Sequence, residues 1–113
     1  MKFYSLSRAA GFVLICAASA SWATGPDAAQ LEKGKTLFMS GAVPACAICH
    51  TMEDAGATGA IGPNLDELKP DFERVKKIMK EGAGSMPSFS ATLDHASMDA
   101  IAAYVVHATG GKQ

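Results

Sequence analysis

Cys46-Ala47-Ile48-Cys49-His50 is the stretch on which the rest of the chain turns. Two thiols three positions apart, followed at once by a histidine, match the attachment motif for c-type haem. The spacing has a mechanical reason. On a helical turn Cys46 and Cys49 lie nearly one above the other, so both sulfurs reach the vinyl groups on one porphyrin edge. His50 then falls beneath the macrocycle, where a ring nitrogen can bind iron as the proximal ligand. The motif points to a protein that handles electrons.

Other chemistries explain less. A structural zinc site needs four ligands, usually in two pairs, and outside the motif the chain offers only Cys16, His95 and His107. A thioredoxin-like redox pair expects a βαβ setting, and no strand-rich stretch flanks the motif. A plain Cys46–Cys49 disulfide suits an oxidising compartment but leaves His50 without a purpose.

Residues 1–23 read as a secretory leader, with Lys2 and Arg8 at the start and an apolar run from Ala9 to Ala20. Ser21-Trp22-Ala23 then places small residues where a signal peptidase inspects them, so cleavage is expected after Ala23, with Ala20 as the second choice. The run is too short to span a bilayer, and no stable membrane insertion is expected after cleavage. Cys16 follows Val13-Leu14-Ile15, which lacks the small residue that precedes a lipidated cysteine, and is read as part of the leader core. Export to the periplasm agrees with the motif.

The expected mature domain, 24–113, loses two of the ten basic residues and none of the eleven acidic ones, leaving a net charge of −3. No basic patch or stripe suggests nucleic acid. A chain this short has a limited core, and a covalent haem would supply apolar contact and act as a staple.

Helical spacing predicts a first helix from about Asp27 to Ser40, capped by Asp27 and ended by Gly41. Ala55 to Leu65 is expected as a loop, because Gly56, Gly59, Gly62 and Pro63 forbid a regular helix. A second helix is expected over roughly Pro70 to Glu81, with Phe72, Val75, Ile78 and Met79 on one face and Lys76, Lys77 and Lys80 on the other. Gly82 to Ser90 is again irregular. The last helix is expected from about Ser97 to Thr109, with Met98, Ile101, Ala102 and Val105 at core spacing and Gly110-Gly111 stopping it. No alternating strand pattern is present, so the class is all-α.

An iron held by His50 has one axial position left. The candidates are Met39, Met52, Met79, Met86, Met98, His95 and His107. Met39, Met79 and Met98 occupy or adjoin apolar helix faces and read as core. Met52 is too near His50 to reach the opposite face, while His95 and His107 read as surface residues. Met86 differs, because it lies in a Gly-rich loop where Pro87 restricts it to an extended conformation.

With these features the chain resembles the class I cytochromes c over residues 27–109. The matching stretches are Gly34 and Phe38 in the first helix, Cys46 to His50, Gly62-Pro63-Asn64-Leu65, Met86-Pro87 and a last helix carrying Tyr104. The resemblance implies a small cytochrome c fold, three main helices plus a short haem-motif helix around one covalent haem c. It also implies thioethers at Cys46 and Cys49, axial ligation by His50 and Met86, and a hydrogen bond from His50 to the Pro63 carbonyl. Gly34 would let the first and last helices cross closely near Tyr104. The absence of Trp beyond Trp22 leaves the propionate partners open.

A narrower likeness runs through Val43-Pro44-Ala45-Cys46, Asp54-Ala55-Gly56-Ala57, Gly62 to Leu68 and Met86-Pro87-Ser88-Phe89. These stretches look like the small cytochromes that serve bacterial molybdenum-containing sulfite dehydrogenases. The implied partners are redox proteins: a dehydrogenase donor, and an oxidase or another cytochrome as acceptor. Docking is expected around Ala45, Ala47, Ile48, Ile61 and the Pro87–Phe89 loop, with Lys76, Lys77 and Lys80 read as a solvated face. The alternative is a haem enzyme, or a tightly bound haem subunit, with an open or displaceable axial site.

Overall fold

The computed structural model describes residues 25–113. The expected leader at 1–23, with Cys16 and Trp22, lies outside the described residues. The element order is α1 (Ala28–Thr36), α2 (Cys46–Cys49), β1 (Thr51–Met52), β2 (Ala57–Thr58), α3 (Leu65–Leu68), α4 (Phe72–Glu81) and α5 (His95–Thr109). Helices dominate, as the sequence predicts, and among the described residues none is long and apolar enough to cross a membrane.

Short polar side chains start the longer helices. Asp27, Asp71 and Asp94 each accept a backbone N–H three residues on, at 2.7, 2.8 and 2.7 Å, which satisfies one orphan donor per helix. Asp94 therefore begins α5 at His95, two residues before the expected start, and His95 becomes its exposed first residue. Gly82 and Gly110 end α4 and α5 with positive φ. At the end of α1 the chain widens into a π-turn over Leu37–Gly41, closed by Ala42 N–H on the Leu37 carbonyl at 2.9 Å.

Three short elements depart from the expected pattern. β1 and β2 form an antiparallel pair inside and beside the expected loop, pairing Thr51 with Thr58 and Met52 with Ala57. A single turn, α3, follows that loop, capped by Asn64 on the Asp66 and Glu67 N–H groups at 3.0 and 3.4 Å.

α5 is the axis of the fold. Ala100 to Val106 are buried without a break, so this stretch is enclosed on all sides rather than presenting the single expected face. α1 packs most extensively on it and α4 next. The α1 crossing depends on Gly34, where a Cβ would strike the Ala100 carbonyl and come within 2.7 Å of Tyr104 Cβ. Phe38 meets the Tyr104 ring edge-on at 5.9 Å. Met52, Met79 and Met98 are buried core residues, whereas Met39 is 46% exposed.

Candidate functional site

Between α2, α3, α4, α5 and the loop after α4 lies a cavity of about 370 Å³, within the range of cofactor sites. Cys46, Cys49, His50, Pro63 and Met86 all line it. Phe38, Leu65, Val75, Ile78, Phe89, Ile101 and Val105 give it apolar walls.

The motif wall is braced by its own neighbours. His50 N–H bonds the Cys46 carbonyl at 3.0 Å, and Gly62 N–H bonds the Cys49 carbonyl at 2.7 Å. His50 Nδ1 lies 2.8 Å from the Pro63 carbonyl oxygen. With a proton on Nδ1 it donates that bond, which fixes the tautomer and ring plane and leaves the Nε2 lone pair free. Gly62 also lies directly against the ring, where a Cβ would fall 2.6 Å from His50 Cε1.

Burial pushes the Cys46 thiol up to about 11, partly offset by a backbone hydrogen bond, with Cys49 adding a smaller rise. A thiol held that high is protonated at neutral pH and a poor nucleophile.

The opposite wall is the loop after α4. Ala83 and Met86 exchange backbone bonds at 3.0 and 2.9 Å, Phe89 N–H bonds the Met79 carbonyl at 2.7 Å, and Ser88 and Ser90 hydroxyls donate to the Lys80 carbonyl. Met86 is thereby set half-buried at the cavity. The site passes a test of fit to a haem: apolar walls, two sulfurs on one helical turn, an imidazole and a thioether. Gly62 also keeps open the space beside His50.

The rim differs from the expected docking surface in two places. Ile48 and Ile61 are 62% and 71% exposed as anticipated, and Val43, at 79%, joins them. Phe89 is only 4% exposed, because its ring turns inward to line the cavity. On α4, Lys76 pairs with Asp99 at 3.0 Å and stands over the Phe72 ring.

Sequence reasoning missed the brace behind the motif wall. Tyr104 hydroxyl donates to Asp54 Oδ2 at 2.6 Å, and Lys35 Nζ reaches the same oxygen at 3.3 Å. It also passed over Arg74, which lines the cavity. The available signal was rarity, since Arg74 and Arg8 are the chain's only arginines.

The family model for cytochrome c oxidase, cbb3-type, subunit III matches residues 29–105. The solved structure of the c-type cytochrome SorU from Sinorhizobium meliloti is 41% identical, with a TM-score of 0.71 over 77% of this chain and 99% of SorU. This chain belongs to the c-type cytochromes. The cytochrome is also 33% identical over 96 residues to the cbb3-type oxidase subunit CcoP of Azospirillum sp. (strain B510), covering 76% of this chain and 31% of CcoP. It spans about a third of the length of the CcoP relatives it matches. Cytochrome c-551 of Halorhodospira halochloris is 32% identical over 62 residues, covering 54% of this chain and 78% of that protein. Members of the family carry covalent haem c, and Cys46 and Cys49 occupy the single attachment motif here.

Proposed function

We propose that this cytochrome is a periplasmic one-electron carrier with His50 and Met86 as axial ligands, accepting electrons from a sulfite dehydrogenase and passing them toward a terminal oxidase. The observation that carries the ligand assignment is the single cavity lined by Cys46, Cys49, His50 and Met86. Bound haem supplies a one-electron iron couple. Pro63 keeps Nδ1 of His50 engaged and so directs Nε2 to the metal. The Met86 thioether favours ferrous over ferric iron and raises the potential. The apolar lining disfavours the extra positive charge of the oxidised state and acts in the same direction. His50 and Met86 would together hold the iron, and with both bound no coordination site would be open to oxygen or a sulfur substrate. Val43, Ile48 and Ile61 offer a small apolar rim suited to a transient complex with a redox partner.

The likeness to SorU, with the sequence features shared with cytochromes of sulfite dehydrogenases, supports sulfite as the electron source. A second reading, a permanently bound haem subunit of an oxidase-type complex, is favoured by the CcoP match. Size-exclusion chromatography of the native periplasmic fraction separates the two, since a free carrier elutes at its own small size. Met86→Ala is expected to retain covalent haem, lower the midpoint potential and let the ferrous protein bind carbon monoxide. An unchanged potential would show that another residue is the ligand. Mixing purified cytochrome with a sulfite dehydrogenase should give sulfite-dependent haem reduction, and its failure removes the sulfite assignment alone.

A further inference from the structure

A haem tethered through its vinyl carbons carries its anionic propionates on the opposite edge, and those carboxylates need partners. The cytochrome has no Trp beyond Trp22, so an indole cannot serve within the domain. Of the residues lining the cavity, the ionisable ones are Cys46, Cys49, His50 and Arg74. The first three belong to the attachment motif. Arg74 alone brings a permanent charge to an otherwise apolar lining.

Among the described residues nothing else claims that charge. Arg74 comes from the first turn of α4, where its backbone N–H bonds the Asp71 cap at 2.8 Å. Among the described residues the ion pairs are Lys35–Asp54 and Lys76–Asp99. The acidic neighbours Asp71 and Glu73 therefore leave the guanidinium unpaired. The residue is exposed overall yet contributes to the cavity wall, which is how an arginine lies when its aliphatic stem covers apolar surface and its head stays at the rim. A planar guanidinium matches a carboxylate with two parallel hydrogen bonds, which a lysine cannot do.

We propose that Arg74 is the propionate partner of this cytochrome, pairing with a haem carboxylate at the rim and holding the midpoint potential up. The sign follows from charge. Loss of the guanidinium leaves a propionate unopposed, which favours the ferric state and lowers the potential.

The test compares the midpoint potentials of purified wild-type, Arg74→Gln, Arg74→Lys and Lys77→Gln holo-cytochromes at one pH and ionic strength. Lys77 is an exposed charge on the same helix that does not line the cavity, so it reports what loss of a screened surface charge does. Arg74→Gln should lower the potential with helical content unchanged, Arg74→Lys should restore most of it, and Lys77→Gln should stay near wild type. An unchanged or raised potential in Arg74→Gln, or an equal fall in Lys77→Gln, overturns the assignment. If Arg74→Gln does not mature with haem, the wild-type ferrous protein decides by proton NMR. Nuclear Overhauser contacts between the Arg74 side chain and a propionate methylene are expected, and their absence rejects the pairing.

Discussion

The two walls of the cavity are made by different means. The motif wall, Cys46 to Pro63, closes on itself around His50: Gly62 N–H bonds back to Cys49 at 2.7 Å, Thr51 hydroxyl donates to the Gly59 carbonyl at 2.9 Å, and His50 rests on Pro63. Only its far side is tied elsewhere, at Asp54 to Lys35 and Tyr104. The Met86 wall has one backbone bridge of its own, between Ala83 and Met86, and a bond from Ser90 N–H to Ser88 Oγ. It hangs from the last turn of α4 through Met79 and Lys80, and Phe89 ties it on to Thr92 and Leu93. One candidate ligand is thus placed by its own segment and the other by the end of a neighbouring helix. Disturbing the first should alter His50 while the covalent attachment survives. Disturbing the second should free Met86 from the iron.

The largest effect is expected at Gly82. Its φ of 72° and ψ of 170° lie in a region essentially confined to glycine. A Cβ there would also come 2.8 Å from the Met86 carbonyl and 3.0 Å from Ser88 N. Strain and collision together put Gly82→Ala at about 3 kcal/mol of lost stability, measured by denaturant unfolding of the holo-protein. The potential should fall and carbon monoxide binding should appear, as in Met86→Ala. Unaltered ligation despite the lost stability would show that the loop does not depend on α4 for its shape.

Gly62→Ala comes next, at about 2 kcal/mol. Its Cβ would fall 2.6 Å from His50 Cε1 and 2.9 Å from Nδ1, so the ring must turn away from Pro63. A histidine that loses this acceptor is a less basic ligand, which supports ferric iron less well and raises the potential. The two glycine variants should therefore shift the potential in opposite directions. A fall in both would erase the distinction between the walls.

The same division explains what could be read in the sequence. The motif wall was legible because Cys46 to His50 is contiguous and its chemistry fixes the spacing. The core of α4 was legible from its amphipathic spacing, but its start, expected at about Pro70, lies at Phe72 behind the Asp71 cap. α5 was placed two residues late because its core spacing begins at Met98 while its cap, Asp94, lies outside that pattern. β1 and β2 are two residues each, too short for any alternation to register. Phe89 was misplaced on the surface because its direction depends on the backbone bond to Met79, a contact that no local pattern encodes. Arg74 was passed over because a basic residue on a helix ordinarily faces water, as Lys77 and Lys80 do on the same α4. Only the assembled cavity shows it as lining.

The smallest effect is expected behind the motif wall, at Tyr104. Its hydroxyl lies 2.6 Å from Asp54 Oδ2, and removing it in Tyr104→Phe keeps the edge-on ring contact with Phe38. Because the Asp54 side chain is 49% exposed, the loss should be no more than about 1 kcal/mol. The hydrogen bond from Tyr104, with help from Lys35 and against partial desolvation, holds the Asp54 carboxyl below its ordinary range. A depressed carboxyl contributes stability above its unfolded pKa, near 4, and loses it as pH falls through the folded value. Burial, then the bond to Asp54, pushes the Tyr104 hydroxyl up, so its own contribution is complete below about pH 10 and is lost only at higher pH. Wild type and Tyr104→Phe should therefore differ by a constant amount from about pH 5 to 9, and the gap should narrow in acid, read from unfolding midpoints across pH. Neither Tyr104 nor Asp54 lines the cavity, so the potential should not move. A shifted potential would mean that the α1–α5 crossing sets the position of His50, and the motif wall would no longer count as self-braced.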